Sequence, residues 1–255
     1  MSGLLFTIEN RIATITLYNP AKLNALTPEM LSELARLCDV IEADHSILAV
    51  ILAASGTRAF CAGADINAWS DIPPGEFARY WVRGGHRVVD RLARLSKPTI
   101  AAIGGPAFGG GLELAAACDI RVMAPNATLA LPEAAVGIVP GWSGTQRLAR
   151  LLPEAVLKEL VLFGRRLSAE RAFQLGFVAE IADDVVNAAN AIAARLEATS
   201  PAATEIAKYM IHAAVSEDSS AMIEALGSGM IGATADRIEG VAAFISKRKP
   251  NFSGE

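Results

Sequence analysis

The residues most able to do chemistry lie in Gly104 to Asp119, GGPAFGGGLELAAACD. Gly109, Gly110 and Gly111 lead into a helix-favouring segment, and the carboxylate Glu113 stands just beyond them in an otherwise uncharged stretch. Glycine lets a backbone come closer to a ligand than a Cβ would allow. The N–H groups that open a helix lack intrahelical acceptors and sit at the positive end of its dipole. Free donors beside a sequestered acid are what chemistry at a carbonyl requires. The same glycines could instead serve close strand–helix packing, with Glu113 facing solvent. A second unusual stretch, Ser55 to Asp71, carries Ala62, Gly63, Ala64 and Asp65. It follows a buried apolar run, where α/β proteins usually build their sites. Asp65 there also suits a helix cap.

The elements that must position these residues are readable in order. Leu4 to Glu9 and Ile12 to Leu17 are β-prone and joined at Asn10-Arg11 as a hairpin. Thr27, Pro28 and Glu29 form a helix start, with Met30, Leu34, Leu37 and Ile41 on one face. Leu48 to Ala53 and Thr99 to Ile103 are uninterrupted apolar runs, predicting strands buried on both faces. A helix is predicted over Glu76 to Leu95, carrying His86, which reads as a lone packed or exposed histidine. Short strands follow at Ile120 to Met123 and Ala127 to Ala130. Then come a glycine-punctuated loop at Val136 to Thr145 and helices near Gln146 to Leu151, Pro153 to Leu162 and Ser168 to Leu175. A last strand is predicted at Phe177 to Ile181. Only helical signals remain after Asp184: Val185 to Ala198, Pro201 to Val215, Ala221 to Ile231 and Ala235 to Phe244. The expected organisation is an α/β core over residues 1–198 and a helical region over 199–255.

Composition narrows the classes. Of the 255 residues, 52% are hydrophobic and 20% charged, which predicts a globular protein rather than a disordered one. A net charge of −4 gives no basic footprint, so nucleic acid is not an expected partner. The widely spaced Cys38, Cys61 and Cys118 lack any C-x-x-C pattern. This fits reduced thiols in a cytoplasmic protein, without structural zinc or a disulfide framework. The uncharged stretch Pro98 to Leu112 is too short and too glycine-rich to span a bilayer, and Met1 to Arg11 does not read as a leader. His45, His86 and His212 lie far apart and offer no metal spacing. Gly227, Gly229 and Gly232 fit G-x-G-x-x-G only formally, because no strand precedes them. Ser143 lacks the glycine that a nucleophile elbow needs two residues on.

Several stretches, taken together, resemble the enoyl-CoA hydratase (crotonase) family. They are Asn24-Ala25-Leu26, Ala59 to Ile66, the glycine-rich stretch ending in Glu113, Pro132-Glu133 with Gly137 to Gly141, and Phe244 to Phe252. Five stretches in the family's order and spacing cover practically the whole chain. The resemblance implies a crotonase-like α/β spiral of β-β-α units with a C-terminal helical region for trimer contacts, and trimers that often pair into hexamers. It implies an acyl-coenzyme A thioester as substrate, with no further cofactor and no metal. The thioester oxygen would be held by the backbone N–H groups of Ala64 and Gly110. Glu113 and Glu133, spaced as in family hydratases, would act on one water, with Glu133 chiefly the base and Glu113 its partner. Ala25, Ala62, Asp65, Ile66 and Gly109 would line the coenzyme and acyl sites. Lys247 near the C-terminus would help hold the coenzyme's phosphates, with Phe244 packing nearby, a role that competes with a solvated basic tail.

The chain departs from the family pattern at Lys22, which stands one place nearer Asn24 than the family's usual basic residue. Gly104 stands where asparagine is common, and Trp142 and Ser143 replace smaller residues. Trp142 either narrows the acyl pocket or packs outward, so a changed chain-length preference is expected without a stated direction. Hydration of a trans-2-enoyl-CoA is the leading expectation. Isomerisation of an enoyl-CoA, another acyl-CoA lyase activity, or non-catalytic acyl-CoA or RNA binding are the alternatives.

Overall fold

A computed structural model describes residues 3–217, 229 and 232–254. The chain divides into two compact units, residues 1–201 and 202–255. The first unit opens with a hairpin of β1 (Gly3–Glu9) and β2 (Ile12–Tyr18), antiparallel with Glu9 opposite Ile12. Asn10 and Arg11 take positive φ at its turn, as a tight two-residue hairpin turn demands. Helix α1 (Pro28–Ala43) begins as its sequence dictates, with the Thr27 hydroxyl accepting from Met30 N–H and Pro28 at the first position.

Strands β3 (Ala49–Ala54), β4 (Thr99–Ile103), β6 (Ile120–Met123) and β9 (Glu180–Ile181) extend the sheet in the order β1-β2-β3-β4-β6-β9, parallel from β2 onward. Every residue of β4 is buried, and all but the last of β3, which explains their continuous apolar sequences. Two residues each of β5 (Ala107–Phe108) and β8 (Leu167–Ser168) join β7 (Thr128–Ala130) in a second small sheet. Because β2, β3 and β4 run parallel, the loops after them all leave from one edge, where α/β sheets present their ligand sites. Helix α4 (Gly110–Ala117) is buried at all eight positions, which its small residues permit.

Three predicted elements differ from the structure. The single helix expected over Glu76 to Leu95 is instead a turn, α2 (Pro74–Glu76), then a π-helical segment Phe77–Val82, then α3 (Arg83–Ala93). The strand expected at Phe177 to Ile181 shrinks to β9, because Phe177 and Val178 N–H donate back to the Ala172 carbonyl. The helix from Val185 stops at Ala194 and tightens into a 3-10 turn, Arg195–Ala198. The remaining helices of this unit are α5 (Gly144–Leu151), α6 (Glu154–Leu162), α7 (Ala169–Gln174) and α8 (Val185–Ala194). Helix α9 (Pro201–Ala214) and the last helix, Ala235–Ile245, follow. The expected helix Ala221 to Ile231, and the glycine motif near its end, lie outside the described residues except for Gly229 and Gly232.

One buried side chain ties the loops at the sheet edge together. Asn24, with φ +56° and 1% exposed, donates through Nδ2 to the Ser55 and Ala59 carbonyls at 3.0 and 2.9 Å. Its Oδ1 accepts from Asn19 N–H at 2.9 Å and from the Ser55 hydroxyl at 3.3 Å. Asparagine suits both needs, since it tolerates the left-handed region and supplies donors and acceptors. Asn24→Ala is expected to lower unfolding free energy by about 3 kcal/mol, from orphaned carbonyls and backbone strain. Urea denaturation measures this, and a loss under about 1 kcal/mol would contradict the assigned role.

Candidate active site

Two main-chain donors are left over where the loops meet. After β3 the chain runs through Cys61 to Asp65 between two neighbours. On one side Leu26 N–H donates to the Gly63 carbonyl and Asp65 N–H to the Leu26 carbonyl, both at 2.8 Å. On the other, Phe108 N–H donates to the Cys61 carbonyl at 2.9 Å, and Gly109 N–H donates to the Ala130 carbonyl at 3.0 Å. The N–H groups of Ala64 and of Gly110, the first residue of α4, have no acceptor among the described residues. They are close together. A Cβ placed on Gly110 would lie 3.6 Å from Ala64 N, and one on Gly63 would lie 3.5 Å from Gly110 N. Gly63 has φ +104°, and a Cβ there would sit 3.1 Å from the Phe108 carbonyl oxygen, so only glycine allows this approach.

Two carboxylates share the cavity with these donors. Glu113, one turn into α4, is 3% exposed, and its Oε1 accepts from the N–H groups of Trp142 and Gly144, both at 2.8 Å. Burial pushes its carboxyl up, against the pull of those two amides and the nearby Arg147 guanidinium. Glu133 opens a 3-10 turn, Glu133–Val136, after Pro132 and is 8% exposed. Its Oε2 is buried without a hydrogen-bond partner. Burial, with a smaller push from Glu113, raises this carboxyl to about 7. A buried carboxyl with one unpartnered oxygen, titrating near neutrality, can take a proton or give one.

The loop that holds Glu113 is itself anchored. Ser143, between the two donating residues, sits at φ +71° and is buried. Its Oγ shares a 2.6 Å hydrogen bond with His86 Nδ1 on α3, and His86 Nε2 lies 3.0 Å from Asp90 Oδ2. Asp90 in turn pairs with Arg147, which is 4% exposed. Serine, histidine and aspartate in this order suggest a nucleophile, but Ser143 does not line the cavity. Their contacts brace the loop around Glu113 instead.

The cavity, about 210 Å³, is lined by Ala64, Gly109, Gly110, Glu113 and Glu133. Its lining also includes Trp69, Phe77, Trp81, Val82 and Trp142, with Ile66, Val136, Ile138 and Val139. Trp142 therefore packs inward, 3% exposed. The lining holds both expected carboxylates and both expected donor residues, together with Ala62, Ile66, Gly109 and Trp142. Ala25 and Asp65 are not part of it. Ala25 is buried, its N–H donating to the Lys22 carbonyl and its carbonyl accepting from Asn19 Nδ2. Asp65 caps Asn67 N–H and pairs with Lys22 Nζ at 2.6 Å, so the lysine is already matched to a carboxylate. Phe244, 86% exposed on the last helix, and Lys247, just beyond it with φ +50°, belong to the second unit. His86 and Asp90 escaped sequence reasoning because their partner Ser143 lies more than fifty residues away. The aromatic wall did leave a signal: the chain has only three tryptophans, and all three line this cavity.

No described helix is long and apolar enough to cross a membrane, and the described residues include no cluster of metal-ligating side chains.

The raised Glu133 carboxyl links stability to pH. Below pH 4.5 both folded and unfolded chains keep it protonated. Between 4.5 and about 7 the unfolded chain ionises first, so folding stability falls as pH rises through that window. Glu133→Gln is expected to flatten the decline by roughly 2 kcal/mol. Denaturation midpoints at pH 5 and pH 8 check this, and equal slopes for both proteins would contradict it.

A profile of the enoyl-CoA hydratase/isomerase family matches residues 7–255. A probable enoyl-CoA hydratase of Bacillus subtilis is 37% identical, with both chains covered in full. A short-chain-enoyl-CoA hydratase of Clostridium acetobutylicum is 34% identical over 98% of this chain and 97% of its own. The crystal structure of an enoyl-CoA hydratase from Bacillus anthracis superposes with a TM-score of 0.81 at 33% identity, covering 99% of each chain. By fold and by sequence along nearly its whole length, the chain belongs to the enoyl-CoA hydratase/isomerase family.

Proposed function

We propose that the protein is an enoyl-CoA hydratase, reversibly adding water in syn fashion to a trans-2-enoyl-CoA to give the 3-hydroxyacyl-CoA. One observation carries this reading: two buried carboxylates share an apolar cavity with two acceptor-free main-chain donors. The thioester oxygen sits between Ala64 and Gly110 N–H. Glu133 takes a proton from a water whose oxygen bonds to C3. The double-bond electrons move toward the thioester oxygen, where negative charge grows and the two donors act most strongly. The proton that completes C2 comes from the carboxylate pair, with Glu113 as partner. Two neighbouring carboxyls favour holding one proton between them, which suits acid and base roles in one site.

The coenzyme and oligomer are part of the same reading. Ala25, Ala62, Asp65 and Ile66 flank the coenzyme, with Phe244 and Lys247 near its phosphates, and the chain works in the cytoplasm as a homotrimer or a pair of trimers. Support for these comes from family membership.

The test is turnover of several trans-2-enoyl-CoAs by wild type, Glu113→Ala and Glu133→Ala, followed by loss of enoyl absorbance. Each variant is expected to lose roughly 10²–10⁴-fold in kcat. Full activity in either would remove that residue from the mechanism. Turnover of 3-enoyl-CoAs alone, giving 2-enoyl products without hydration, would replace hydratase by isomerase. With Glu133 as base, kcat/KM is expected to rise with pH through about 7 as that carboxyl ionises. A profile flat from pH 5 to 8 would contradict the assignment.

A further inference from the structure

Beyond the reacting groups, the cavity's shape and chemistry restrict its occupant. Trp142 is pinned on both sides by glycine. A Cβ on Gly85 would come within 2.1 Å of its Nε1, and one on Gly110 within 2.6 Å of its Cζ3. Any larger residue at either position would displace the indole, so its placement is fixed by backbone rather than by soft side chains. Beside it, Val82 packs on Gly141, where a Cβ would lie 3.2 Å from Cγ1. The π-helical segment is thereby fastened to the loop that holds Glu113. These contacts hold Trp142 and Val82 side by side in the cavity wall.

What remains is walled by rings. Trp81 and Trp142 stand 5.8 Å apart between centroids at 50°, and Trp69 and Phe77 stand 5.5 Å apart at 52°. Such tilted pairs leave ring faces and edges for a further ring, a contact that adds to simple area burial. A four-carbon acyl group would leave most of this wall without a partner.

We propose that the acyl end of the cavity selects 2-enoyl groups bearing a flat aryl or conjugated substituent on C3, with Trp142 and Trp81 as its specificity-determining residues. This rests on the reading of the cavity as the acyl site of a coenzyme A thioester.

The experiment compares two acyl groups of equal carbon number, one aryl and one straight. Because conjugation disfavours hydration of the aryl substrate, both are assayed as dehydration, from 3-hydroxy-3-phenylpropanoyl-CoA and 3-hydroxynonanoyl-CoA. The expected kcat/KM for the aryl substrate is at least tenfold higher. Equal values, or a preference for the straight chain, overturn the proposal. Trp81→Leu, at a half-buried position, and Trp142→Leu are each expected to reduce the aryl preference at least fivefold, and an unchanged ratio in a folded variant also overturns it. Should neither substrate react, hydration itself fails. Tryptophan fluorescence then still ranks the two acyl groups, since every tryptophan lines the cavity. Tighter binding of cinnamoyl-CoA than of trans-2-nonenoyl-CoA upholds the selectivity, and equal or weaker binding overturns it.

Discussion

The approach of the Cys61–Asp65 backbone to the Phe108–Gly110 backbone governs everything else in this site. The neighbouring N–H groups find acceptors in the adjoining loops, and two do not. An unpaired main-chain donor in a partly buried place costs free energy, and proteins rarely leave one without reason. Two such donors side by side can both reach a single acceptor atom. The arrangement depends on Gly63 and Gly110, whose missing side chains allow the contact, and on Asn24, whose hydrogen bonds hold the flanking loops.

The carboxylates follow a second constraint. Each is buried, and burial opposes its charge, yet the two are treated differently. Glu113 receives two amides from the loop after Pro140, a loop braced by the Ser143, His86, Asp90 and Arg147 chain of contacts. Glu133 keeps one oxygen without a partner and is pushed up to about 7. One is thus held in place while the other is left ready to exchange a proton. Ser143 pays for its left-handed backbone with the hydrogen bond to His86, in a loop where glycine would have been the unstrained choice.

Much of this was legible in the amino-acid order. The apolar runs of β3 and β4, the capped start of α1 and the glycines before Glu113 all have local causes, so they read correctly. The small strands β5 and β8, two residues each, leave no periodic pattern to find. The π-helical segment carries an ordinary helical pattern, and its altered winding shows only in how Phe77, Trp81 and Val82 meet the cavity. Local sequence could not say whether Trp142 faces inward, because Gly85 and Gly110 decide that, and both lie far from it in the chain. The same holds for His86, whose role is set by a tertiary contact.

The central claim is that Ala64 and Gly110 N–H polarise the thioester carbonyl. Vibrational difference spectroscopy of a trans-2-enoyl-CoA bound to Glu133→Gln reads that carbonyl directly. The account predicts that its stretching frequency falls on binding, as two aimed donors draw charge onto the oxygen. A frequency unchanged from that of the free thioester in water would contradict it.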